Sequence, residues 1–447
     1  MGPAAGGAFG ALKPGPHRFF GARSAPSLNT PPLRNQLLTD MGRLALSAGL
    51  VHGVALLALP ALQRWFYGPD AFAEFSVYSQ WAGLLGAVAT LRMDLALVKH
   101  ERESLALGAL VNGLRALLLF VVLSWLAASG MRLSGWDAGH IQGLSLWLPL
   151  GVAGMGLGTL MTAWLSRDQR FSDIARARGW GGVLGEGSRF AAAGVGTGGL
   201  IAGRIAGQWG VALLAWRKSG IRWSSILAVP RLDRSSAWKA DLDYARFTAP
   251  ANVLAMAANA LILLVLFETA PKDWVGQVGA ALAYLTVAAG LVIRSVNDVF
   301  FRHLNDVAGD ALYKTYAQWA AGLLALSWAG VGLLYLIPGG WVSGALGLRW
   351  ADLMPAMRWL SLWMPFWIAA SALSGIFPHL GRQSTALKLD VAHLLLVAAW
   401  LWWTRSNGGD LDLSQWGILK EYAAIQGAFY LLALGVGLRL CRSAGPA

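Results

Sequence analysis

The chain has 447 residues, of which 56% are hydrophobic and only 13% charged, and its formal net charge is +13. A soluble domain usually carries about a quarter charged residues, so this composition excludes an ordinary soluble protein and predicts that lipid surrounds much of the chain. The single cysteine, Cys441, excludes a disulfide framework or a cysteine metal site within one chain. Because most basic residues lie between apolar runs, the charge indicates membrane orientation and not a nucleic-acid-binding surface.

The first segment, residues 1–40, is rich in Gly, Pro, Ala and Arg and contains no apolar run long enough for a signal peptide. We expect it to form a disordered cytoplasmic tail. Met41 comes just before the first strong apolar run, so we hypothesise that the native protein starts there. N-terminal sequencing of the native protein tests that hypothesis.

About twelve apolar runs follow, each of roughly 18 to 27 residues, which is long enough to cross a bilayer as a helix. The predicted fold is therefore an all-α polytopic membrane protein with about twelve transmembrane helices. The predicted spans are 43–63, 72–98, 104–129, 141–165, 178–197, 199–216, 244–268, 278–301, 314–337, 354–378, 386–404 and 416–440.

Basic residues predict the orientation of these spans. They are concentrated in "SRDQRFSDIARAR" (166–178) and in "RKSGIRWSSILAVPRLDRSSAWK" (217–239), which fall on the same side as the N-terminus. Because cytoplasmic loops carry an excess of Lys and Arg, both termini are predicted to be cytoplasmic. All the loops on the outer side are then short.

The longest connection, residues 217–243, divides the predicted spans six and six. We therefore predict an N-terminal lobe at 41–216, a cytoplasmic linker at 217–243 and a C-terminal lobe at 244–441, the organisation typical of internally repeated transporters. The apolar residues of the linker are predicted to lie on the membrane surface: Trp223, Ile226 and Leu227.

Glycine and tryptophan patterns predict how the helices pack and where they end. Gly203 and Gly207 are four residues apart, a spacing that lets two helix backbones approach closely within the bundle. Tryptophans at the ends of apolar runs are typical of the membrane interface, where the ring N–H reaches water or headgroups. Examples are Trp65, Trp274, Trp341 and Trp350.

Known enzyme motifs are missing from the sequence. It has no Walker A loop and no H-E-x-x-H, and "GVGTGG" (194–199) fits G-x-G-x-x-G without a strand before it. Short outer loops leave no room for a catalytic head. His393 lies within a span, where a packed structural histidine is the commoner case than a proton relay. We predict no enzyme activity, no catalytic residues, no metal site and no bound cofactor, with H⁺ or Na⁺ coupling left open.

Ionised side chains inside the spans are costly and normally face a bundle interior or a hydrated cavity. Glu186 and Arg189 are three residues apart, and Arg294 and Asp298 are four apart, so each pair can share one helix face and partly neutralise itself. These four residues are candidates for structural or ion-coupling pairs. The arginines are also candidates for binding an anionic substrate.

Three further charges have both a structural and a functional interpretation, and for Glu268 the structural one is favoured. Arg92 and Asp94 are two residues apart, so on a helix they do not face each other, and each needs another partner or must reach the interface. Glu268 lies near the outer end of its span, where it is an ion-coupling site or an interface residue.

Arg115 and Arg204 have no acidic neighbour at helical spacing, and Arg115 lies about 17 Å of helix rise inside its span. Together with Arg92, Arg189 and Arg294 they make five arginines against three acids, which predicts a net cationic cavity. The alternative is that Arg115 pairs with an acid on a neighbouring helix. Guanidinium groups bind phosphate in a bidentate manner, so such a cavity suits a ligand that carries phosphate or acidic sugars. Asn112 and Asn259 are the polar residues predicted to line it.

Several stretches resemble oligosaccharide flippases of the Wzx kind, within the multidrug/oligosaccharidyl-lipid/polysaccharide exporter superfamily. The most specific lies in 67–98: Tyr67-x-Pro69-x-x-Phe72-x-x-Phe75, followed by Ala89-Thr90-Leu91-Arg92-x-Asp94-x-Ala96, with Asp94 where relatives often have Glu. The stretches "LIAGRIAGQWGVALLAW" (200–216), "YARFTAPANVLAMAANAL" (244–261) and "VGQVGAALAYLTVAAGLVIRSVNDVFFRHL" (275–304) are similar to their sixth, seventh and eighth helices.

The resemblance implies two six-helix lobes around a central cavity in the bacterial inner membrane. It implies that the protein flips undecaprenyl-pyrophosphate-linked oligosaccharide repeat units, of O-antigen or exopolysaccharide, by alternating access. The partners would be this lipid-linked glycan and membrane lipids, with a polysaccharide polymerase and a chain-length regulator as further candidates. The alternatives are a drug or small-molecule exporter of the same superfamily, or a membrane enzyme of polysaccharide assembly.

Overall fold

A computed structural model of the chain describes residues 57–134, 144–304, 310–406 and 415–443, together with Gly53 and Val307. In this part of the chain every regular element is a helix. In chain order the α-helices are α1 Pro69–Val88, α2 Met93–Lys99, α3 Glu103–Ser134, α4 Leu144–Arg167, α5 Phe171–Ala191, α6 Thr197–Ser219, α7 Trp223–Leu227, α8 Arg231–Asp243, α9 Ala249–Thr269, α10 Lys272–His303, α11 Asp310–Leu336, α12 Gly339–Leu346, α13 Leu353–Ser361, α14 Met364–Ala372, α15 Ile376–His379, α16 Gln383–Ser406 and α17 Gln415–Ser443.

The predicted membrane spans agree with these helices. Each span after the first coincides with a helix or a group of consecutive helices, whereas the first span (43–63) and the predicted tail (1–40) fall mainly or wholly outside the described residues. By length and apolarity alone, six helices can cross a membrane, or up to eight if each of two bent pairs is one span. Helices α5 and α6 are not among them, because their many glycines and their charged residues lower the mean hydropathy.

Two of the spans are bent. Helices α1 and α2 meet at 41°, and the segment that ends in α13 meets α14–α15 at 53°. At the first bend Leu91 and Arg92 adopt φ values of 48° and 59°, in the left-handed region that interrupts a right-handed helix. The hydroxyl of Thr90 donates a hydrogen bond to Asp94 Oδ1 at 3.0 Å across the break.

Helix packing connects neighbouring helices within each predicted lobe and also joins the two lobes. In the N-terminal lobe α6 packs on α4 and α5, and α3 packs on α4. In the C-terminal lobe α10 packs on α13 and α14, while α11 packs on α14 and α17. Helix α1 joins the two sets, since it packs on both α9 and α10. The apolar cores of these helices therefore continue from one set to the other.

The segments predicted to lie on the outer side of the membrane are packed together. The Arg64 guanidinium donates to the carbonyls of Gly344 and Ala345 at 2.9 Å, and Arg349 donates to Gln63 O at 2.6 Å. Trp350 Nε1 also donates to Gln63 O, at 3.3 Å. Each predicted lobe thus contributes an arginine that binds the backbone of the other.

Glycines on α10 allow the backbones of α1 and α10 to approach closely at the same outer end of the molecule. A Cβ at Gly276 would overlap the Pro69 carbonyl at the start of α1, and one at Gly279 would overlap the Ser76 side chain. The backbones of α1 and α10 therefore meet where only glycine fits. The two lobes are closed against each other at this end.

The linker forms two helices, α7 and α8, and α8 docks on the N-terminal lobe. Ala237 of α8 is fully buried and packs where Gly108 of α3 leaves room for the Asp233 carbonyl. His100 Nε2 lies 2.6 Å from Asp241 Oδ2, and the Asp241 side chain is fully buried. A π-helical turn, Tyr244–Thr248, then connects α8 to α9.

The tryptophans at the span ends divide into two kinds. Trp65 and Trp341 are each 70% exposed, as expected for a belt at the membrane interface. Trp274 and Trp350 are almost completely buried, at 2% and 0% exposed. For these two the interface prediction is wrong, because both fill the apolar core where the helices of the two lobes meet.

Candidate functional site

Close packing of α5 and α6 forms the site. A Cβ at Gly181 or Gly185 of α5 would press on the backbone of Gly203 or Gly207 of α6, so the two helices approach each other at glycines on both sides. The predicted role of the Gly203–Gly207 spacing in packing within the bundle is confirmed. This close approach brings the polar side chains at the end of α5 beside those of α6.

The ion pair predicted on α5 is formed. Arg189 Nη1 lies 2.7 Å from Glu186 Oε1, and each of the two side chains is only 14% exposed. The Arg189 guanidinium also lies 5.3 Å from the ring centroid of Phe75 on α1, a cation–π contact. The hydroxyl of Tyr67 donates to the Arg189 carbonyl at 2.7 Å. The pair is thereby fixed in a largely apolar setting.

Arg204 on α6 adds a second cation to this pair. Its partly buried side chain interacts electrostatically with Tyr78 of α1 and with Arg189. It forms no ion pair with any residue that the structure describes. The two arginines and the single carboxylate, which pairs with Arg189, give these three side chains a net positive formal charge.

Four buried polar atoms in this cluster have no hydrogen-bond partner among the described residues. Two are donors, Arg189 Nε and Arg204 Nε, and two are acceptors, Glu186 Oε2 and Gln208 Oε1. Leaving a buried polar atom unsatisfied costs roughly 1–3 kcal/mol. A ligand that offers anionic oxygens to the arginines and a donor to the acceptors would satisfy all four. We call Glu186, Arg189, Arg204 and Gln208 the N-lobe cluster.

Helix α4 packs against one side of the N-lobe cluster. A Cβ at Gly151 would overlap the Tyr78 hydroxyl and approach Gln208 Oε1, so the glycine leaves space beside both side chains. The Tyr78 hydroxyl donates to the Trp147 carbonyl at 3.3 Å, which orients the ring. Side chains from α1, α4, α5 and α6 thus surround the cluster.

Arg115, which was predicted to line the cavity, lies on α3 and outside the N-lobe cluster. Arg115 is exposed and shares its helix face with Leu118, Leu119 and Val122, which are 67%, 54% and 47% exposed. An exposed apolar face of a membrane helix meets acyl chains, and helix side chains point toward the N-terminal end, here the predicted cytoplasmic side. Arg115 therefore points toward that side, but its depth of about 17 Å of helix rise exceeds the reach of an arginine side chain to the interface.

Asn112, also predicted to line the cavity, has a structural role. Its side chain is buried, and Nδ2 donates a hydrogen bond to the Arg234 carbonyl at 2.9 Å. It holds the linker helix α8 on α3. The position of Asn112 one turn before Arg115 did not reveal this structural role, because the linker was not predicted to cover the face of α3 that carries Asn112.

Arg92 and Asp94 meet, contrary to the prediction that they do not face each other. Arg92 Nε lies 3.9 Å from Asp94 Oδ1, with side chains 24% and 14% exposed. The expectation failed because it assumed an unbroken helix, whereas the chain bends here and Arg92 adopts a left-handed conformation. The pair fits a structural role at the bend.

The remaining predicted residues lie apart from the N-lobe cluster. Glu268 is exposed at the end of α9, as an interface residue would be. Asn259 Nδ2 donates to the Ala255 carbonyl at 2.9 Å and lies 3.5 Å from the Tyr430 hydroxyl. Arg294 and Asp298 lie on α10, but their side chains are outside the described residues.

The C-terminal lobe contains a polar network that the sequence did not predict. His393 Nε2 lies 2.8 Å from Gln426 Oε1, both side chains are buried, and the imidazole stacks on Phe429 with centroids 4.0 Å apart. This fits the structural alternative for His393. Asp390, one turn before it, is partly buried and interacts electrostatically with Tyr430.

We call Asn259, Asp390, His393, Gln426 and Tyr430 the C-lobe network. It contains one carboxylate and no lysine or arginine. No sequence periodicity singles out Asp390, because its partners come from two other helices, α9 and α17. Of these two groups of described residues, the N-lobe cluster has an excess of basic side chains, whereas the only charged type in the C-lobe network is an acidic one.

Comparison with known proteins bears on the fold. Neither a protein-family model nor a curated protein sequence matches the chain. The structure is similar to a multidrug resistance MATE family transporter of the MOP superfamily in an inward-facing conformation, with a TM-score of 0.58 and 15% identity over 89% of this chain and 98% of that one.

Two more solved structures are similar. The lipid II flippase MurJ, in an inward closed conformation, gives a TM-score of 0.61 and 14% identity, covering 89% of this chain and 87% of that one. The eukaryotic MATE transporter AtDTX14 gives 0.52 and 14%, covering 91% and 94%. At these identities the likeness establishes the fold. The chain is an all-α polytopic membrane protein with the two-lobe fold that MOP-superfamily transporters share.

Proposed function

We propose that this protein flips a polyprenyl-pyrophosphate-linked oligosaccharide, such as an undecaprenyl-linked repeat unit of O-antigen or exopolysaccharide, across the bacterial inner membrane. The observation that carries the proposal is the N-lobe cluster, in which Arg204 has no carboxylate partner among the described residues and Arg189 pairs with Glu186. Two guanidinium groups side by side match the oxygens of a pyrophosphate. The protein acts as a transporter and not as an enzyme.

The movement is alternating access with both termini in the cytoplasm. The outer segments are closed by the reciprocal contacts of Arg64 and Arg349 with the opposite lobe. Opening this end while the cytoplasmic end closes would carry the headgroup from one leaflet to the other. Coupling to H⁺ or Na⁺ would supply the driving force. The likeness of the fold to a lipid II flippase supports a lipid-linked substrate.

A second candidate function is export of an organic cation. It is favoured by the C-lobe network, where Asp390 lies beside aromatic side chains and Trp363 stacks on Tyr430 with centroids 5.8 Å apart. A carboxylate among aromatic rings binds cations. Two of the similar structures are MATE transporters, one of them a multidrug resistance protein.

A flipping assay separates the two. The purified protein is reconstituted in vesicles with a polyprenyl-pyrophosphate oligosaccharide that carries an NBD group on the sugar, and dithionite reports how much NBD reaches the outer leaflet. We expect the protein to accelerate exchange of this lipid and not of the same glycan on an uncharged polyprenyl ether. No acceleration, together with uptake of ethidium, would reject the flippase and support the cation exporter.

A further inference from the structure

The linker carries an exposed surface that is both apolar and basic. On α7, Trp223 is 60% exposed and Leu227 is 80% exposed. They are four residues apart and so share one face of the helix, while Ser225 points to the opposite side. Ile226, which was predicted to lie with them on the membrane, is only 8% exposed and packs into the protein instead.

This surface lies at the end of a membrane helix. Trp223 stacks on Trp216 near the end of α6, with ring centroids 4.5 Å apart. On the same helix Leu213 is 53% exposed, and Arg217, one turn later on the same face, is exposed as well. An apolar face that ends in an arginine marks the boundary between acyl chains and headgroups. The exposed face of α7 is therefore held at that boundary.

All the charged side chains around this surface, in residues 213–232, are basic. Between Leu213 and Leu232 the chain contains no aspartate or glutamate, and its basic side chains are all exposed. They are Arg217, Lys218, Arg222 and Arg231. Basic residues near a membrane surface are attracted to anionic lipids by about 1 kcal/mol each, whereas neutral lipids give no such gain.

The linker surface is also fixed to the protein, so its position in the bilayer follows that of the N-terminal lobe. Ile226 and Val229 are buried, and α8 docks through Ala237 and Asp241. A surface held in this way needs no folding on the membrane before it binds, which lowers the entropic cost of binding.

From these observations we infer that the linker face formed by Trp223, Leu227 and the exposed basic side chains is a docking surface for anionic phospholipids of the cytoplasmic leaflet. The two apolar side chains insert below the headgroups, and the basic side chains bind lipid phosphates beside them. This role is independent of which substrate is transported.

Cys441, the sole cysteine, is buried, so a Cys441→Ser background allows single labels. Leu227→Cys and, as the matched control on the opposite face, Ser225→Cys are labelled with an NBD fluorophore in the full chain. Each is reconstituted in phosphatidylcholine vesicles with or without phosphatidylglycerol, and quenching by lipids with a doxyl group near the headgroup is measured. We expect strong quenching at 227, weak quenching at 225, and stronger quenching at 227 when phosphatidylglycerol is present.

The basic side chains are tested separately with Arg217→Gln, Lys218→Gln and Arg222→Gln. Each is expected to lower the phosphatidylglycerol-dependent gain in quenching at 227 about fivefold, whereas Arg439→Gln and Arg442→Gln, exposed on a different helix at the end of α17, change quenching at 227 little. Size-exclusion elution checks folding. Equal quenching at 225 and 227, or quenching at 227 that is the same in neutral and anionic vesicles, would overturn the inference.

Discussion

The N-lobe cluster and the C-lobe network differ in charge and in how far their polar atoms are satisfied. The N-lobe cluster has two arginines and one glutamate, and four of its buried polar atoms lack partners among the described residues. The C-lobe network has one carboxylate, and its His393, Gln426, Asn259 and Tyr430 interact with one another. Among the fully buried polar atoms of the described residues in this network, the amide nitrogen of Gln426 alone lacks a hydrogen-bond partner.

Under the proposed function, this difference assigns the anionic headgroup to the N-lobe cluster. Buried polar groups in proteins are nearly always hydrogen-bonded, so a concentration of unsatisfied donors and acceptors in one place calls for an explanation. In the proposed complex the pyrophosphate oxygens would accept from both arginines, and a hydroxyl group of the attached sugar would donate to the two acceptors, Glu186 Oε2 and Gln208 Oε1. The C-lobe network, with the opposite charge, would repel the same ligand.

The largest effect is expected from removing the unpaired cation. Arg204→Ala should lower the flipping rate of the pyrophosphate lipid by about 100-fold or more, because charge-assisted hydrogen bonds contribute roughly 1.5–3 kcal/mol each and 1.4 kcal/mol corresponds to about tenfold. Arg204→Lys should restore part of the rate, since lysine keeps the charge but loses the bidentate geometry. The vesicle flipping assay measures both.

The matched control is Arg115→Ala, an arginine on the exposed apolar face of α3. It should flip lipid at nearly the wild-type rate, because Arg115 lies outside the N-lobe cluster. If both alanine variants lose activity equally, or neither does, the assignment of the two arginines to different environments is wrong.

The second-largest effect is expected on the stability of the protein when the C-lobe network is disrupted. Gln426→Leu removes the partner of buried His393 and should lower the free energy of unfolding by roughly 1–3 kcal/mol, measured by unfolding in detergent. The double variant His393→Phe with Gln426→Leu should recover part of this loss, since no polar group is then left unpaired. A single variant as stable as wild type would mean that the network is not satisfied internally.

The third effect tests how the two regions are held relative to each other. Gly276→Ala places a methyl group against the Pro69 carbonyl and should weaken the outer contact between the lobes. Overpacking costs typically 1–3 kcal/mol, so labelling of Ser76→Cys by a water-soluble maleimide should become about tenfold faster. Gly290→Ala on the same helix, where a Cβ meets nothing within 4 Å, is the control and should leave the labelling rate unchanged.

The smallest effect is expected when the N-lobe cluster is made more positive, which increases its difference in charge from the C-lobe network. Glu186→Gln removes the only carboxylate of the N-lobe cluster, so the affinity for the pyrophosphate lipid should rise about threefold while the protein becomes less stable. Lipid binding and thermal unfolding are measured on the same preparation. A fall in affinity would show that Glu186 positions Arg189 more than it neutralises it.

Much of the fold follows from the sequence, because the length and apolarity of the runs reflect the thickness of a bilayer. The helices that coincide with predicted spans were predictable for this reason. The close packing at Gly203 and Gly207 was predictable from their spacing in the sequence. The buried positions of Trp274 and Trp350 could not be predicted, because a tryptophan at a span end has the same sequence context at a lipid interface and at an interface between lobes.

The site was predicted in part. The i, i+3 spacing of Glu186 and Arg189 is local, and the structure confirms the pair. The environments of Arg115 and Asn112 depend on which neighbour covers each face of α3, and a linear pattern does not contain that information. Arg92 and Asp94 meet only because the helix bends between α1 and α2.

Photo-crosslinking tests the central claim most directly. A polyprenyl-pyrophosphate oligosaccharide with a photoreactive group next to the pyrophosphate is irradiated with the reconstituted protein, and the crosslinked peptides are identified by mass spectrometry. The N-lobe cluster predicts crosslinks in α5 and α6, around residues 186–208, that are lost in Arg204→Ala and kept in Arg115→Ala. Crosslinks confined to α16 and α17, around residues 390–430, would contradict it.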